Sequence, residues 1–174
     1  MRNWLALGLI LPLAAWAQMR GFERDSRDHA GPQELQLQLP EYPKPENYLP
    51  LQVSATTSFH FFVDAKSVSV GNDGVVRYSL IAKSPDGALN VSFEGIRCSE
   101  RQFRIYAFGR SDSTWSEARN SRWQAMPADL RNAQRAVLYR DFFCPAGIII
   151  FTPEEGVQAL RAGGHPRAAE FSRF

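Results

Sequence analysis

Cysteine and histidine are scarce in this 174-residue chain, at two and three residues. His29, His60 and His165 lie far apart and show no metal-ligand spacing, and Cys98 and Cys144 are not the closely spaced pair that redox motifs use. There is no G-x-S-x-G elbow, no G-x-x-x-x-G-K-[ST] phosphate loop and no dinucleotide glycine fingerprint. A surplus of one charge is also missing. Lys and Arg number 20 against 18 Asp and Glu, with both signs mixed, which argues against nucleic acid as a partner. The apolar run Leu5 to Ala14 is about ten residues long, half of the roughly 20 that cross a bilayer as a helix. These absences assign no catalytic residue, no cofactor and no metal, and leave no transmembrane segment expected in the mature chain.

What is present begins at the N-terminus. Arg2, the apolar run and Ala15-Trp16-Ala17 together read as a signal peptide over 1–17, cut before Gln18. No cysteine follows that site, so a lipid anchor there is excluded. Cleavage leaves 157 residues, one domain's worth, and takes the net charge from +2 to +1. In an oxidising compartment the two cysteines are expected to pair. With 46 residues of separation, a Cys98–Cys144 disulfide would stabilise the fold by about 4 kcal/mol in the chain-entropy model.

Residues 18–50 are polar and carry Pro32, Pro40, Pro43, Pro45 and Pro50, which reads as a flexible arm. Within it Leu35, Leu37 and Leu39 alternate with Gln36 and Gln38, a pattern that would let a short strand pair onto a sheet edge. Residues 51–162 are expected to form a single α+β domain. Phe59 to Val63 reads as a strand. Val68 and Val70, the turn Gly71-Asn72-Asp73-Gly74 and Val75 to Lys83 form a hairpin, and Ser84-Pro85-Asp86-Gly87 turns into a further strand from Ala88 to Cys98. The apolar phase of that strand shifts at Gly95, which suggests a bulge there. Phe103 to Phe108 is the next strand.

Gly109 to Met126 reads as a polar connection. Pro127 and Asp129 open a helix through Leu138, with a strand over Ala136 to Phe143 as the open alternative. Ile148 to Phe151 reads as a buried strand. Thr152, Pro153 and Glu155 give the cap, first-turn proline and capping-box acid of a short helix ending at Gly163. Residues 163–174 are expected to be a loose tail. The fold class is thus α+β, an antiparallel meander of four to six strands with one or two helices and one disulfide.

The chemistry-bearing candidates are few. His60 and Asp64 share a strand face but stand about 13 Å apart, and Asp64 is explained as a turn residue bonding the backbone near Lys66 and Ser67. Glu94 and Asp141 are carboxylates that only the fold could bring together. Asn90-Val91-Ser92 matches a glycosylation acceptor. The most distinctive cluster is Trp115, Arg119, Arg122 and Trp123, because large aromatics with guanidinium groups are what binding hot spots use. The competing reading makes both tryptophans anchors of a long loop.

Phe62-Val63-Asp64, Asp73 to Tyr78, Asn90 to Cys98, Trp115, Arg122-Trp123 and Tyr139 to Pro145 together resemble the CNP-one-like family of exported bacterial proteins, over roughly Leu49 to Gly147. The layout is similar, more distantly, to surface-adhesin protein E domains, where a small antiparallel sheet with a helix is closed by a disulfide. The resemblance implies export in a bacterium, and the expected location is the periplasm of a Gram-negative cell. It implies no activity. The leading expectation is a non-enzymatic envelope protein that binds another protein or a glycan through Trp115, Arg119, Arg122 and Trp123; the alternative is a periplasmic hydrolase whose site is assembled only in the fold.

Overall fold

In a computed structural model the described residues are 34–53, 57–127 and 133–171. The signal-peptide segment, His29, the expected helix start at 128–132 and the last three residues lie outside them.

Eight antiparallel strands form the sheet: β1 (Tyr48–Leu51), β2 (His60–Asp64), β3 (Ser69–Val70), β4 (Val75–Lys83), β5 (Leu89–Arg97), β6 (Gln102–Gly109), β7 (Trp115–Glu117) and β8 (Gln124–Ala125). The order is β1-β2-β4-β5-β6-β7, with β3 beside β4 and β8 beside β6. The α+β architecture agrees with the sequence reading. The strand number is higher because β1, β7 and β8 are two to four residues long, too short to show an alternating pattern. β4 and β5 are joined by the expected turn, in which the Gly87 N–H donates to the Ser84 carbonyl at 2.9 Å.

Helices cover one face. α1 (Ala133–Val137) continues into a π-helical turn, Leu138–Phe143, followed by α2 (Pro153–Ala162) and α3 (Pro166–Phe171). The strand alternative for Ala136 to Phe143 is therefore not adopted. The wider π turn is closed by the Cys144 N–H on the Tyr139 carbonyl at 2.8 Å, and it buries Leu138, Phe142 and Phe143. These pack with Val76, Tyr78, Leu80 and Ile96 of the sheet, and the Tyr78 and Phe143 rings lie 5.2 Å apart. The Cys98–Cys144 disulfide ties the end of β5 to the end of the π turn.

Three further expectations change. Ile148 to Phe151 is not a strand; Ile150 alone is buried, while Ile148 and Phe151 are exposed, because the segment crosses from the π turn to α2 and only Ile150 turns inward against Gly156. The expected tail 163–174 contains α3, anchored by a buried His165 that bonds Glu155. The start of α2 is as read: Thr152 accepts from the Glu155 N–H at 3.2 Å, Glu155 reaches back to the Phe151 N–H at 2.6 Å, and Gly163 caps the far end at φ 76°.

The arm expected over 18–50 is docked from Glu34 onward. Its described part crosses the face of the sheet opposite the helices without strand pairing, through a 3₁₀ turn at Pro45–Asn47, and ends as edge strand β1 on β2. The ordering cost is met by polar contacts rather than by the leucines, which stay exposed.

β5 is consequently buried on both faces from Val91 to Arg97. Toward the helices Glu94 is fully buried. Its Oε1 accepts from Arg135 Nη2 at 2.6 Å and Ser92 Oγ at 2.6 Å, and its Oε2 accepts from Arg135 Nε at 2.7 Å and the Tyr78 hydroxyl at 3.2 Å. Burial, reinforced by the Glu94 charge, pushes the Tyr78 hydroxyl well above its ordinary range.

Two stability outcomes are expected. Cys98→Ser should lower unfolding free energy by roughly 2–5 kcal/mol in urea melts without reductant. Glu94→Gln, which removes the buried carboxylate charge that Arg135 Nε and Nη2 donate to, should cost about 3–5 kcal/mol in the same melts, with the disulfide intact.

Candidate functional site

The face under the arm carries a cluster of arginines and aromatics. It begins with Gly95, whose Cβ position would lie 2.7 Å from the Tyr106 hydroxyl and 3.0 Å from Val75, so glycine alone leaves room for the ring. The bulge expected at Gly95 lies instead between Phe93 and Glu94 of β5 and across from them, where Ala107 and Ile105 pair and Tyr106 is the extra residue of β6. That insertion lays Tyr106 over β5, 5.7 Å from the Phe93 ring and edge-on to Trp123 at 6.4 Å. The apolar phase of β5 shifts because both of its faces are covered.

Around Tyr106 stand Arg77 of β4, Arg97 of β5 and Arg104 of β6. Arg77 is clamped by both oxygens of Asp73, Nη1 to Oδ1 at 3.1 Å. The Arg104 Nε donates to Ser121 Oγ at 2.9 Å, and that hydroxyl donates to the Ile105 carbonyl. The Arg97 guanidinium stacks 4.2 Å from the Trp123 ring centre and pairs with Glu100 at 3.1 Å. Each donor is thus oriented by a neighbour in the domain itself.

A single carboxylate from the arm occupies the centre. Glu34 Oε2 accepts from Arg104 Nη1 at 2.6 Å and Trp123 Nε1 at 3.2 Å, while Oε1 accepts from the Tyr106 hydroxyl and lies 3.5 Å from Arg77 Nη2. Burial, with Glu34 accepting its proton, holds the Tyr106 hydroxyl above its ordinary range against the pull of Arg77 and Arg104. Beside the carboxylate an open pocket of about 300 Å³ is lined by Leu37, Arg104, Tyr106, Glu117 and Ser121. Further along, the Trp115 Nε1 donates to the Pro40 carbonyl at 2.9 Å, the Tyr42 ring lies 5.3 Å from Trp115, and Tyr42 packs onto Gly109. Leu35, Leu37 and Leu39 remain 44%, 36% and 40% exposed.

Of the residues singled out from sequence, Trp115 and Trp123 are brought onto this face and use their indole N–H groups to hold the arm. Arg119 and Arg122 are exposed in the same loop and make no ion pair among the described residues. Sequence reasoning missed Glu34, Arg77, Arg97, Arg104 and Tyr106. The available signal was their rhythm, because Arg77, Arg97 and Arg104 stand in strand segments where a solitary cation needs a partner.

The other candidates are committed elsewhere. Glu94 is held in its ion pair, Asp141 pairs with Arg140 at 2.6 Å, and His60 is exposed on β2. Asp64 is buried and precedes the 3₁₀ turn Ala65–Ser67; burial raises its carboxyl above the ordinary range, opposed by Ser67 and Lys66. A second pocket, about 610 Å³, is lined by Tyr139, Asp141, Cys144 and His165. There the His165 Nδ1 accepts from the Arg167 N–H, which places the ring proton on Nε2, donated to Glu155 at 2.8 Å, so neither nitrogen is available as a base. No cluster of metal-ligating residues occurs among the described residues. No helix among them is long and apolar enough to cross a membrane.

An antiparallel sheet with helices on one face, a disulfide joining the two layers and an arginine-aromatic cluster on the other face define a disulfide-closed α+β domain. The sequence model of the CNP1-like family matches residues 28–161, and the chain belongs to that family. The match begins ahead of Glu34, so the docked arm falls within it. Among curated proteins the chain is 29% identical over 99 residues to Cryptic neisserial protein 1 of Neisseria gonorrhoeae, covering 49% of this chain and 48% of that protein. The chain thus matches about half the length of that relative. No solved structure matches it.

Asp73 supplies a pH expectation. Burial alone would raise its carboxyl, but Arg77 and the Leu35 N–H, 3.0 Å away, outweigh this and hold it below its ordinary value of 3.8. A carboxylate with a lowered pKa stabilises the folded state at every pH above its ordinary value, and that stabilisation, of which the Leu35 bond is the arm's share, is lost as pH falls through the lowered one. The Leu35 amide resonance in NMR should therefore titrate with a midpoint below 3.8, and Asp73→Asn should abolish the titration.

Proposed function

We propose that this protein is an exported, non-enzymatic binding module of the bacterial envelope, working in the periplasm, whose partner docks on the arginine-aromatic face. One observation carries the reading: an array of Arg77, Arg97, Arg104, Tyr106, Trp115 and Trp123, its arginines oriented by domain residues, is covered among the described residues by a segment whose leucines stay partly exposed. Buried aromatics and directed guanidinium groups are the residues from which interface hot spots are built. Arg119 and Arg122 add two exposed cations in the loop that carries the tryptophans. Export rests on the N-terminal sequence pattern alone.

The hydrolase reading gains no comparable support. Glu94 is closed off by Arg135, Tyr78 and Ser92, and His165 has both ring nitrogens engaged.

A photo-crosslinking residue at Arg119 or Arg122 in the mature chain, used in native envelope extract, should capture a discrete protein or glycan. The same group at exposed Arg161 on α2 should not, and Arg104→Ala should abolish the capture from Arg122. Equal capture from Arg161, or capture indifferent to Arg104→Ala, would overturn the proposal.

A further inference from the structure

We infer that the pocket around Tyr106 is a receptor for the side-chain carboxylate of an extended acidic peptide, and that Glu34 is its resident, displaceable occupant. This rests on the arginine-aromatic face being a binding surface and names what that surface selects.

The donors are organised independently of Glu34. Asp73 holds Arg77, Ser121 holds Arg104, the Phe93 ring and the space left at Gly95 seat Tyr106, and Arg97 backs Trp123. A site whose donors already point at one spot binds without paying to order them. A carboxylate offers about four acceptor positions on two oxygens, and Arg77, Arg104, Tyr106 and Trp123 converge on just those two.

The charge of the surroundings matches a monoanion. Asp73 already neutralises much of Arg77, and Glu117 lines the adjoining pocket, so a dianionic group would meet two carboxylates. The remaining contacts recognise an extended main chain rather than particular side chains. Asp73 accepts the N–H of the residue after the glutamate, and Trp115 donates to a carbonyl six residues beyond it. Any extended peptide presents those groups, so selectivity falls on the carboxylate. The occupant buries none of its three leucines, which stay 36% to 44% exposed, so its hold rests on the polar contacts that a competing peptide can reproduce.

The test uses the full mature chain and a fluorescein-labelled, end-blocked peptide copying residues 31–44, read by fluorescence polarisation. Glu34→Ala should bind this peptide at least tenfold more tightly than the unmodified chain, because the resident carboxylate no longer competes. Replacing the peptide's glutamate at the position of Glu34 by glutamine, or adding Arg104→Ala to the protein, should weaken binding at least tenfold. Glu34→Gln, nearly isosteric and less disturbing to the arm, should fall between Glu34→Ala and the unmodified chain. An unchanged cooperative melt shows that each variant is folded.

Equal binding of the glutamine peptide, or equal affinity of Glu34→Ala and the unmodified chain, would overturn the inference. Crosslinking from Arg122 that the peptide fails to displace would sink the inference and leave the binding module standing. Tight glutamate-dependent peptide binding with no Arg104-dependent crosslink would sink the module's envelope partner and leave the receptor standing.

Discussion

A carboxylate with no access to water cannot stay ionised without a cation beside it, and Glu94 obtains that cation from Arg135, 41 residues further along the chain. The pair fixes where α1 must lie on the sheet. From there the π turn delivers Phe142 and Phe143 onto Tyr78 and carries Cys144 to Cys98, so ion pair and disulfide fasten the same two layers at neighbouring points. An ion pair of this kind adds little net stability over an apolar substitute, but it penalises any other docking of the helical layer.

Adjacent residues of β5 then divide the labour between the two faces. Glu94 points to the helices, and Gly95, having no side chain, opens the opposite face to Tyr106. The extra residue in β6 brings that ring across. The arginines around it are too deep to be left without counter-charges, and the domain supplies only some: Asp73 for Arg77 and Glu100 for Arg97. Arg104 has a hydroxyl partner in Ser121 but, among the described residues of the sheet domain, no acid, and the arm brings Glu34 to it. The tryptophans found in the loop thus act both as anchors and as polar contacts, because an indole is apolar in its rings and a donor at its N–H.

How much of this was legible follows the range over which each contact acts. The hairpin turns were readable because Gly71 to Gly74 and Ser84 to Gly87 encode them within four residues, and the start of α2 was readable because Thr152, Pro153 and Glu155 satisfy each other locally. The disulfide followed from the count of cysteines and the expected compartment. The bulge was placed one residue away and on the wrong strand, because the cause of the apolar shift, a second covered face, is tertiary. The arm read as flexible since nothing in its own composition favours order; the partners of its polar contacts stand 38 to 89 residues downstream. The strands in the tryptophan loop and the helix after Gly163 are too short for periodicity to declare.

That separation in sequence has a consequence in time. Glu34 precedes every group it binds, and Trp123, the last of them, is made 89 residues later. Contacts spanning such loops form late, after local hairpins have closed. A chain growing from its N-terminus therefore passes through a stage in which the arm has emerged and its seat has not. The seat around Tyr106 cannot be completed by the arm until Trp123 has been made, however early the arm itself emerges.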